Sequence, residues 1–370
     1  MTSENDVRQA LSSVIDPEIG RPITDLNMVD SITIENDGTV HVTILLTVAG
    51  CPMQNTIKND AIQALEALDG VKNVNVTMGA MNDEQREALK EKLQGPSRTI
   101  PFTLPNNLTR VIAVTSGKGG VGKSTVTANL AVTLAKKGMK VGVVDADIYG
   151  FSIPRILGVN DPATALNNMI IPPIAHGVKV ISIGMFVPDN TPVVWRGPML
   201  HRALEQFFSD VYWGDLDVLL LDLPPGTGDI ALSCAQLIPK SEVLIVTTPQ
   251  QAASEVAARA GQLAEQTGQR VIGVIENMSH YIMPDGSKNY LFGQGGGGIV
   301  SHELSIHLGY NVPVLGNIPI ETDIREGGDS GTPLTVQDTQ TPAQHVFDNI
   351  AKQLHQRSQS LVGKNLPLHT

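Results

Sequence analysis

Only two cysteines, Cys51 and Cys234, occur in 370 residues, so the chain has no disulfide framework. No apolar run approaches the ~20 residues needed to cross a bilayer, and the polar opening MTSENDVRQA is not a secretory leader. Basic residues are outnumbered, 26 against 37 acidic, for a net charge of −11, which argues against nucleic-acid binding through the overall field. Tandem repeats and low-complexity segments are missing too. With 41% hydrophobic and 17% charged residues, the composition is that of an ordinary soluble globular protein of about two domains, expected in the cytoplasm.

Residues 1–93 read as a small α+β domain. Val7, Leu11 and Val14 mark a short amphipathic helix closed by Asp16-Pro17. Alternation over 31–34, the turn Asn36-Asp37-Gly38 and alternation over 40–44 predict a hairpin. Ile57, Ala61, Leu65 and Leu68 recur at helical spacing in a 53–68 helix, followed by a strand over 74–78 and a charged helix over 83–93. The stretch 94–107, with three prolines and no periodicity, is the expected linker. From 108 to 357, apolar runs at 110–115, 140–144, 178–183, 217–222, 242–247, 271–275 and 312–318 alternate with helical patterns. Their continuous hydrophobicity predicts an α/β domain, a mostly parallel sheet flanked by helices. Residues 358–370 are left as a tail.

The segment SGKGGVGKST, Ser116 to Thr125, satisfies G-x-x-x-x-G-K-[ST] from Gly117 to Ser124. It lies between an apolar strand pattern (Val111 to Val114) and a helical one (Val126, Leu130, Leu134), the context a P-loop requires. Gly117, Gly119, Gly120 and Gly122 carry no Cβ, so backbone N–H groups can close around phosphate oxygens, with Val121 and Thr125 completing the loop. The helix beginning near Lys123 adds the positive end of its dipole. Lys123 is expected to reach the β- and γ-phosphates, and the Ser124 hydroxyl to ligate Mg²⁺.

Two carboxylate segments follow. Asp145 and Asp147 end the apolar run Val141 to Val144 in VGVVDADIYG. Asp222 ends DVLLLD, a Walker B pattern whose carboxylate is expected to hold Mg²⁺ through water, since Mg²⁺ dehydrates reluctantly. PPGTGD, Pro224 to Asp229, is a Gly-hinged loop suited to sensing the γ-phosphate.

Further segments are GKGGVGKST, DADIYG, WRGPM (Trp195 to Met199), DLPPGTGD, ENMS (Glu276 to Ser279), FGQGGG (Phe292 to Gly297) and GNIPIETDIREGGDSGTP (Gly316 to Pro333). The N-terminal part contributes DPEI (Asp16 to Ile19), DLNMV (Asp25 to Val29) and TVAGCPM (Thr47 to Met53). Together they resemble an Mrp/ApbC-type ATPase, the iron–sulfur cluster carrier group of the SIMIBI class that also includes MinD and ParA, fused behind a SufT/PaaD-like domain. The resemblance spans essentially the whole chain. It implies that Lys118, the extra lysine of the deviant Walker A, contacts the partner's nucleotide in trans and couples ATP to homodimerisation. It implies that Asp147 orients the attacking water, giving the catalytic set Lys118, Lys123 and Asp147. Asn277 would hydrogen-bond the adenine edge, with the loop at Pro319 helping to cover the base. Partners implied are a second copy, apo iron–sulfur proteins and the cluster assembly machinery.

One departure stands out. Family members usually carry CxxC between ENMS and the FGxGGG run, and two such motifs across a dimer supply four thiolates for a bridging [4Fe–4S] cluster. Here His280 to Leu291 reads HYIMPDGSKNYL, without cysteine. Met283 stands about where the first thiolate belongs, and a thioether cannot replace it. His280 is expected on the surface. Cys51 follows a strand at the start of the 53–68 helix, where a helix N-terminus lowers a thiol's pKa; it is the remaining candidate iron–sulfur ligand, a buried or capping cysteine being the alternative. Cys234, in DIALSCAQLI, is expected to be core packing.

The expected function is an ATP-binding and ATP-hydrolysing carrier or assembly factor that passes clusters to apo-proteins through an ATP-gated homodimer, turning over slowly without a partner. A maturation scaffold of the same family that holds no cluster is the alternative. A ParA/MinD-like partitioning ATPase is disfavoured: the C-terminal helix, about 342–357, lacks a basic amphipathic face, and no Lys/Arg cluster suits DNA. Neither nucleic acid nor membrane is an expected partner.

Overall fold

The computed structural model describes residues 2–47, 53–94, 99–147, 150–167, 169–186, 197–250 and 254–358. The chain divides into two compact units. The first is Met1–Thr99 with Asp161–Pro173 and Ser209–Gly214; the second is Ile100–Asn160 with Ile174–Phe208 and Asp215–Thr370.

The first unit opens with α1 (Glu4–Leu11), whose N-terminus closes in a capping box: Asp6 N–H donates to Ser3 Oγ at 3.2 Å and Ser3 N–H to the Asp6 carboxylate at 2.8 Å. Then come β1 (Val29–Ile34), β2 (Thr39–Leu46), α2 (Gln54–Glu66), β3 (Asn73–Ala80) and α3 (Asp83–Gln94). The sheet order is β1-β2-β3, with β1 antiparallel and β3 parallel to β2. Register pairs Ile34 with Val40, which places the hairpin turn at Asn36-Asp37-Gly38. β2 alternates between buried and half-buried residues from Val40 onward, as a strand with one covered face must.

Along the chain, β4 (Arg110–Ser116), α4 (Lys123–Lys136), β5 (Val141–Asp145) and α5 (Ile153–Ile156) lead into the short strands β6 (Thr164–Leu166), β7 (Met169–Ile171) and β8 (Ile174–Ala175), then β9 (Val178–Ser182). There follow α6 (Gly197–Ser209), β10 (Val218–Asp222), α7 (Asp229–Leu237), β11 (Glu242–Thr247), α8 (Ser254–Gln266) and β12 (Arg270–Glu276). The small hairpin β13 (Tyr281–Ile282) and β14 (Lys288–Asn289) precedes α9 (Gly296–Leu308), β15 (Val314–Asn317), α10 (Thr322–Ser330) and α11 (Pro342–Ser358). Eight strands form one sheet in the order β15-β12-β11-β4-β10-β5-β9-β8. All pairs are parallel except β8 with β9. β5 and β10 are buried at every residue, the continuous hydrophobic run of strands covered on both faces.

α4 follows the P-loop and is buried on almost every side, from Val126 through Leu134. A helix surrounded by protein needs small or apolar residues all round, which Ala128, Leu130, Ala131 and Val132 supply. Its polar residues pair internally: Asn129 Oδ1 accepts the Thr335 N–H at 3.2 Å. Among the described residues no helix is long and apolar enough to cross a membrane.

The boundary between units falls at Thr99 and Ile100, inside the expected 94–107 linker, and Phe102 beyond it is buried edge-on to Phe208 at 6.5 Å. The β6–β7 hairpin, numbered well inside the expected ATPase region, belongs to the first unit. Leu166, Met169, Ile171 and Tyr212 share one hydrophobic core with Val7, Leu11, Ile57 and Leu65. Backbone bonds from Ile170 to Asp210 and from Tyr212 to Ile170, both 2.8 Å, hold the two late segments together, and Asn167 Nδ2 donates to Glu87 Oε2 at 2.6 Å.

Candidate functional site

The strand order reverses around β4, the position where open parallel sheets place ligand crevices beyond the strand carboxyl ends. Register sets Asp222 of β10 level with Val114 of β4 and Asp145 of β5, so the P-loop and both aspartates emerge from adjacent strand ends. The P-loop turns into α4 through Gly122, at φ 78°, where a Cβ would come within 2.3 Å of Asn277 Nδ2. Both the left-handed backbone and the close approach require glycine there. Beside Gly119 and Gly120 the space is open: an added Cβ on Gly119 would find its nearest neighbour at Pro225, 3.9 Å away, and one on Gly120 nothing within 4 Å.

Three side chains from the start of α4 converge on Asp222, which is fully buried. Lys123 Nζ lies 2.7 Å from Asp222 Oδ2 and Ser124 Oγ donates to the same oxygen at 2.5 Å. Thr127 Oγ1 donates to Asp222 Oδ1 at 2.8 Å. Sequence reasoning missed Thr127, although its spacing of one helical turn from Lys123 and Ser124 was a usable signal. A lysine ammonium, a hydroxyl and a carboxylate below a glycine loop fit a triphosphate with its Mg²⁺: Ser124 and Asp222 supply the hard oxygen donors that ion takes.

Asp145 is buried beside this group. Its carboxylate accepts from the backbone N–H groups of Ile153 and Asp147 and from the Ser182 hydroxyl, each at 3.2 Å. Burial first, and then the Asp222 charge, push the Asp145 carboxyl up to about 7 against those hydrogen bonds and the pull of Lys123. Asp147 is half-buried two residues beyond β5. The loop after β10 is tied back to β4 by Gly226 N–H on the Ser116 carbonyl, 2.8 Å.

Asn277 sits beneath the P-loop, with Nδ2 donating to the Val121 carbonyl at 2.9 Å. Its Oδ1 takes no hydrogen bond among the described residues. The following Met278 adopts φ 55°, a left-handed turn costing about 1–2 kcal/mol. It is held by Asn277 N–H on Thr247 O, 2.8 Å, and Ser279 N–H on Ile318 O, 2.9 Å. Pro319 lines a cavity of about 770 Å³ with Glu276, Ser279, His280, Tyr290 and Val346; neither Asn277 nor any P-loop residue lines it.

His280, expected on the surface, is buried. The extension beyond β12 runs beside that beyond β15, Ile320 N–H donating to the His280 carbonyl at 2.7 Å. Ser279 Oγ donates to Ile318 O at 2.9 Å and so accepts from His280 Nδ1, also 2.9 Å. Burial, with Lys288 adding to it, holds the imidazole pKa below its ordinary value. The segment that lacks CxxC forms the β13–β14 hairpin and leaves Tyr281, Met283, Tyr290 and Leu291 exposed. FGQGGG has a packing role: a Cβ on Gly296 would meet Thr248 O at 2.6 Å, and one on Gly297 the Glu276 Cβ at 2.9 Å. Glu276 Oε2 accepts the Gly297 N–H at 2.6 Å.

Cys234 is buried and its thiol is pushed up to about 12 by burial, so it offers no thiolate near neutrality. No cluster of three or more metal-ligating side chains occurs among the described residues. Cys51 lies outside the described residues, as do Trp195 and Arg196 of WRGPM.

A glycine loop at the reversal point of a parallel sheet, with its lysine and serine aimed at a strand-end aspartate, is the architecture of a P-loop NTPase of the ParA and MinD type. The chain belongs to the family described as NUBPL iron-transfer P-loop NTPase, whose model matches residues 107–355. A second model, described as iron-sulfur cluster assembly protein, matches residues 4–78. The chain is 55% identical to the iron-sulfur cluster carrier protein of Mycobacterium tuberculosis (strain ATCC 25618 / H37Rv), over 98% of this chain and 96% of that one. It is 40% identical to the protein of the same name from Bacillus subtilis (strain 168), over 96% and 98% of the two chains. Among solved structures, the nucleotide-binding protein of Archaeoglobus fulgidus in complex with ADP matches with TM-score 0.54 and 36% identity, over 65% of this chain and 96% of that one.

Proposed function

We propose that this chain binds and hydrolyses ATP as an ATP-gated homodimer that carries, or helps assemble, iron–sulfur clusters destined for apo-proteins. The observation that carries the ATPase half is the convergence of Lys123 and Ser124 on buried Asp222 below an open glycine loop. In this reading Lys123 leaves Asp222 for the β- and γ-phosphates, and the backbone N–H groups of 117–125 cradle the chain of phosphates. Mg²⁺, when bound by Ser124 and, through water, by Asp222, neutralises charge on the phosphates. Asp147 orients water in line with the γ-phosphorus, and Lys118 reaches the partner's nucleotide. Asn277 keeps Oδ1 for the exocyclic amino group of adenine while Nδ2 holds the loop, and Pro319 helps cover the base. Turnover is slow without a partner.

The cluster is cargo, and Cys51 is the candidate ligand. A second reading, a maturation scaffold holding no cluster, is favoured by the described residues around 280–291, where Met283 and exposed aromatics stand instead of thiolates. Anaerobic reconstitution with iron and sulfide, followed by metal analysis and transfer to an apo-acceptor, separates the two. Cluster lost in Cys51→Ser but kept in Cys234→Ser supports the carrier; no cluster on the wild-type chain rejects it in favour of the scaffold. Titration with ATP tests the shared premise: Lys123→Ala should not bind, and a wild type that ignores ATP would end both readings.

A further inference from the structure

The ammonium of Lys118 donates to the side-chain carbonyl of Gln250 within the same chain. We infer that Gln250 is a positioning residue that parks Lys118 in cis, so that formation of the ATP dimer must first release it. This rests on the trans role proposed above for Lys118.

The geometry makes the choice a side-chain one. On the lysine side, the backbone is fixed, because Ser116 Oγ donates to the Lys118 carbonyl at 3.0 Å. On the glutamine side, the platform is rigid. Thr248 and Pro249 continue from the buried end of β11, and the first residues of α9 close on them so tightly that only glycine fits at 296. What remains free to move is the four-carbon stem of Lys118, a flexible arm carrying a compact charge. Gln250 is exposed, so the contact is weak enough to yield to a phosphate and strong enough to bias the arm when none is present. A neutral amide suits such a releasable hold, since a carboxylate would grip the ammonium more firmly and an apolar residue not at all.

The test uses the full chain as wild type, Gln250→Ala, Gln250→Glu and Lys118→Ala. Without nucleotide, the acetylation rate of Lys118 by an N-hydroxysuccinimide ester, read by peptide mass spectrometry, should rise in Gln250→Ala and fall in Gln250→Glu, with Lys137 as internal reference. With ATP, the concentration giving half-maximal dimer in sedimentation should drop about two- to fivefold in Gln250→Ala and rise in Gln250→Glu. Unchanged Lys118 reactivity across the variants overturns the contact. Changed reactivity with an unchanged dimer threshold overturns its gating role while leaving the dimer reading intact. A wild type that shows no ATP-dependent dimer removes the dimer reading and this inference with it.

Discussion

Lys123 Nζ and Asp222 Oδ2 lie 2.7 Å apart, and both side chains are withdrawn from solvent. The loop lysine is thus neutralised internally before any nucleotide arrives. Removing it strands a buried carboxylate, a loss of about 3–5 kcal/mol for a buried pair. Lys123→Ala should therefore lose ATP binding and also unfold at clearly lower urea, whereas Lys118→Ala should stay within about 0.5 kcal/mol of wild type. Adding Asp222→Asn to Lys123→Ala should recover part of the stability, a coupling that a double-mutant cycle measures.

Asn277 joins the P-loop to the β12 end through Val121. Asn277→Ala should weaken binding of inorganic tripolyphosphate as well as ATP, because it loosens the cradle itself. Isothermal titration with both ligands checks this; a loss confined to ATP would mean that the residue serves only the base.

Asp147→Ala should leave ATP binding intact and slow hydrolysis at least tenfold, since placing the water is most of what the protein can add to phosphoryl transfer. Single-turnover phosphate release reads the effect, and turnover equal to wild type would remove the assigned role.

Asp145 gives a pH signature. Its folded carboxyl titrates near 7 and its unfolded one near 3.8, so the folded chain binds the extra proton between those values. Stability from this group is then lost as pH rises through that window, most steeply midway between the two values, and levels off above the folded one. Asp145→Asn removes the titration, so its unfolding temperature relative to wild type should climb from pH 5 to pH 8. A difference that stays flat would show that burial and the Asp222 charge do not raise the Asp145 carboxyl in this way.

Leu166 is fully buried in the core of the first unit. Leu166→Ala should cost about 2–5 kcal/mol there. Hydrogen exchange should quicken in α1 and α2, within the first 99 residues, while β10 keeps its protection.

Much of this was legible in the sequence. β4 and β10 are covered on both faces, so their apolar runs stand out, and the P-loop announces itself through glycines that nothing else would require. Other features were silent for physical reasons. Thr127 reads as filler in an apolar helix until Asp222, 95 residues away, is seen beside it. Gln250 lies in a polar stretch without periodicity, and its partner is 132 residues distant. β6 and β7 are three residues each, too short to show a pattern, and the turn between them uses Asn167 at φ 53°. His280 opens a polar segment, which points it outward on sequence grounds; the neighbouring chain beyond β15 encloses it. The glycines at 296 and 297 look like those of the P-loop but serve to remove bulk between helix and strand.

The sharing of the β6–β7 hairpin with the first unit bears on how such a gene can be cut or inherited. A lineage that shed the opening hundred codons would bare an oily patch at Leu166, Met169 and Ile171, while a freestanding front half would lack part of its filling. Fission is therefore not a neutral rearrangement here: each separated half demands compensating substitutions of its own, the back half far downstream of the break.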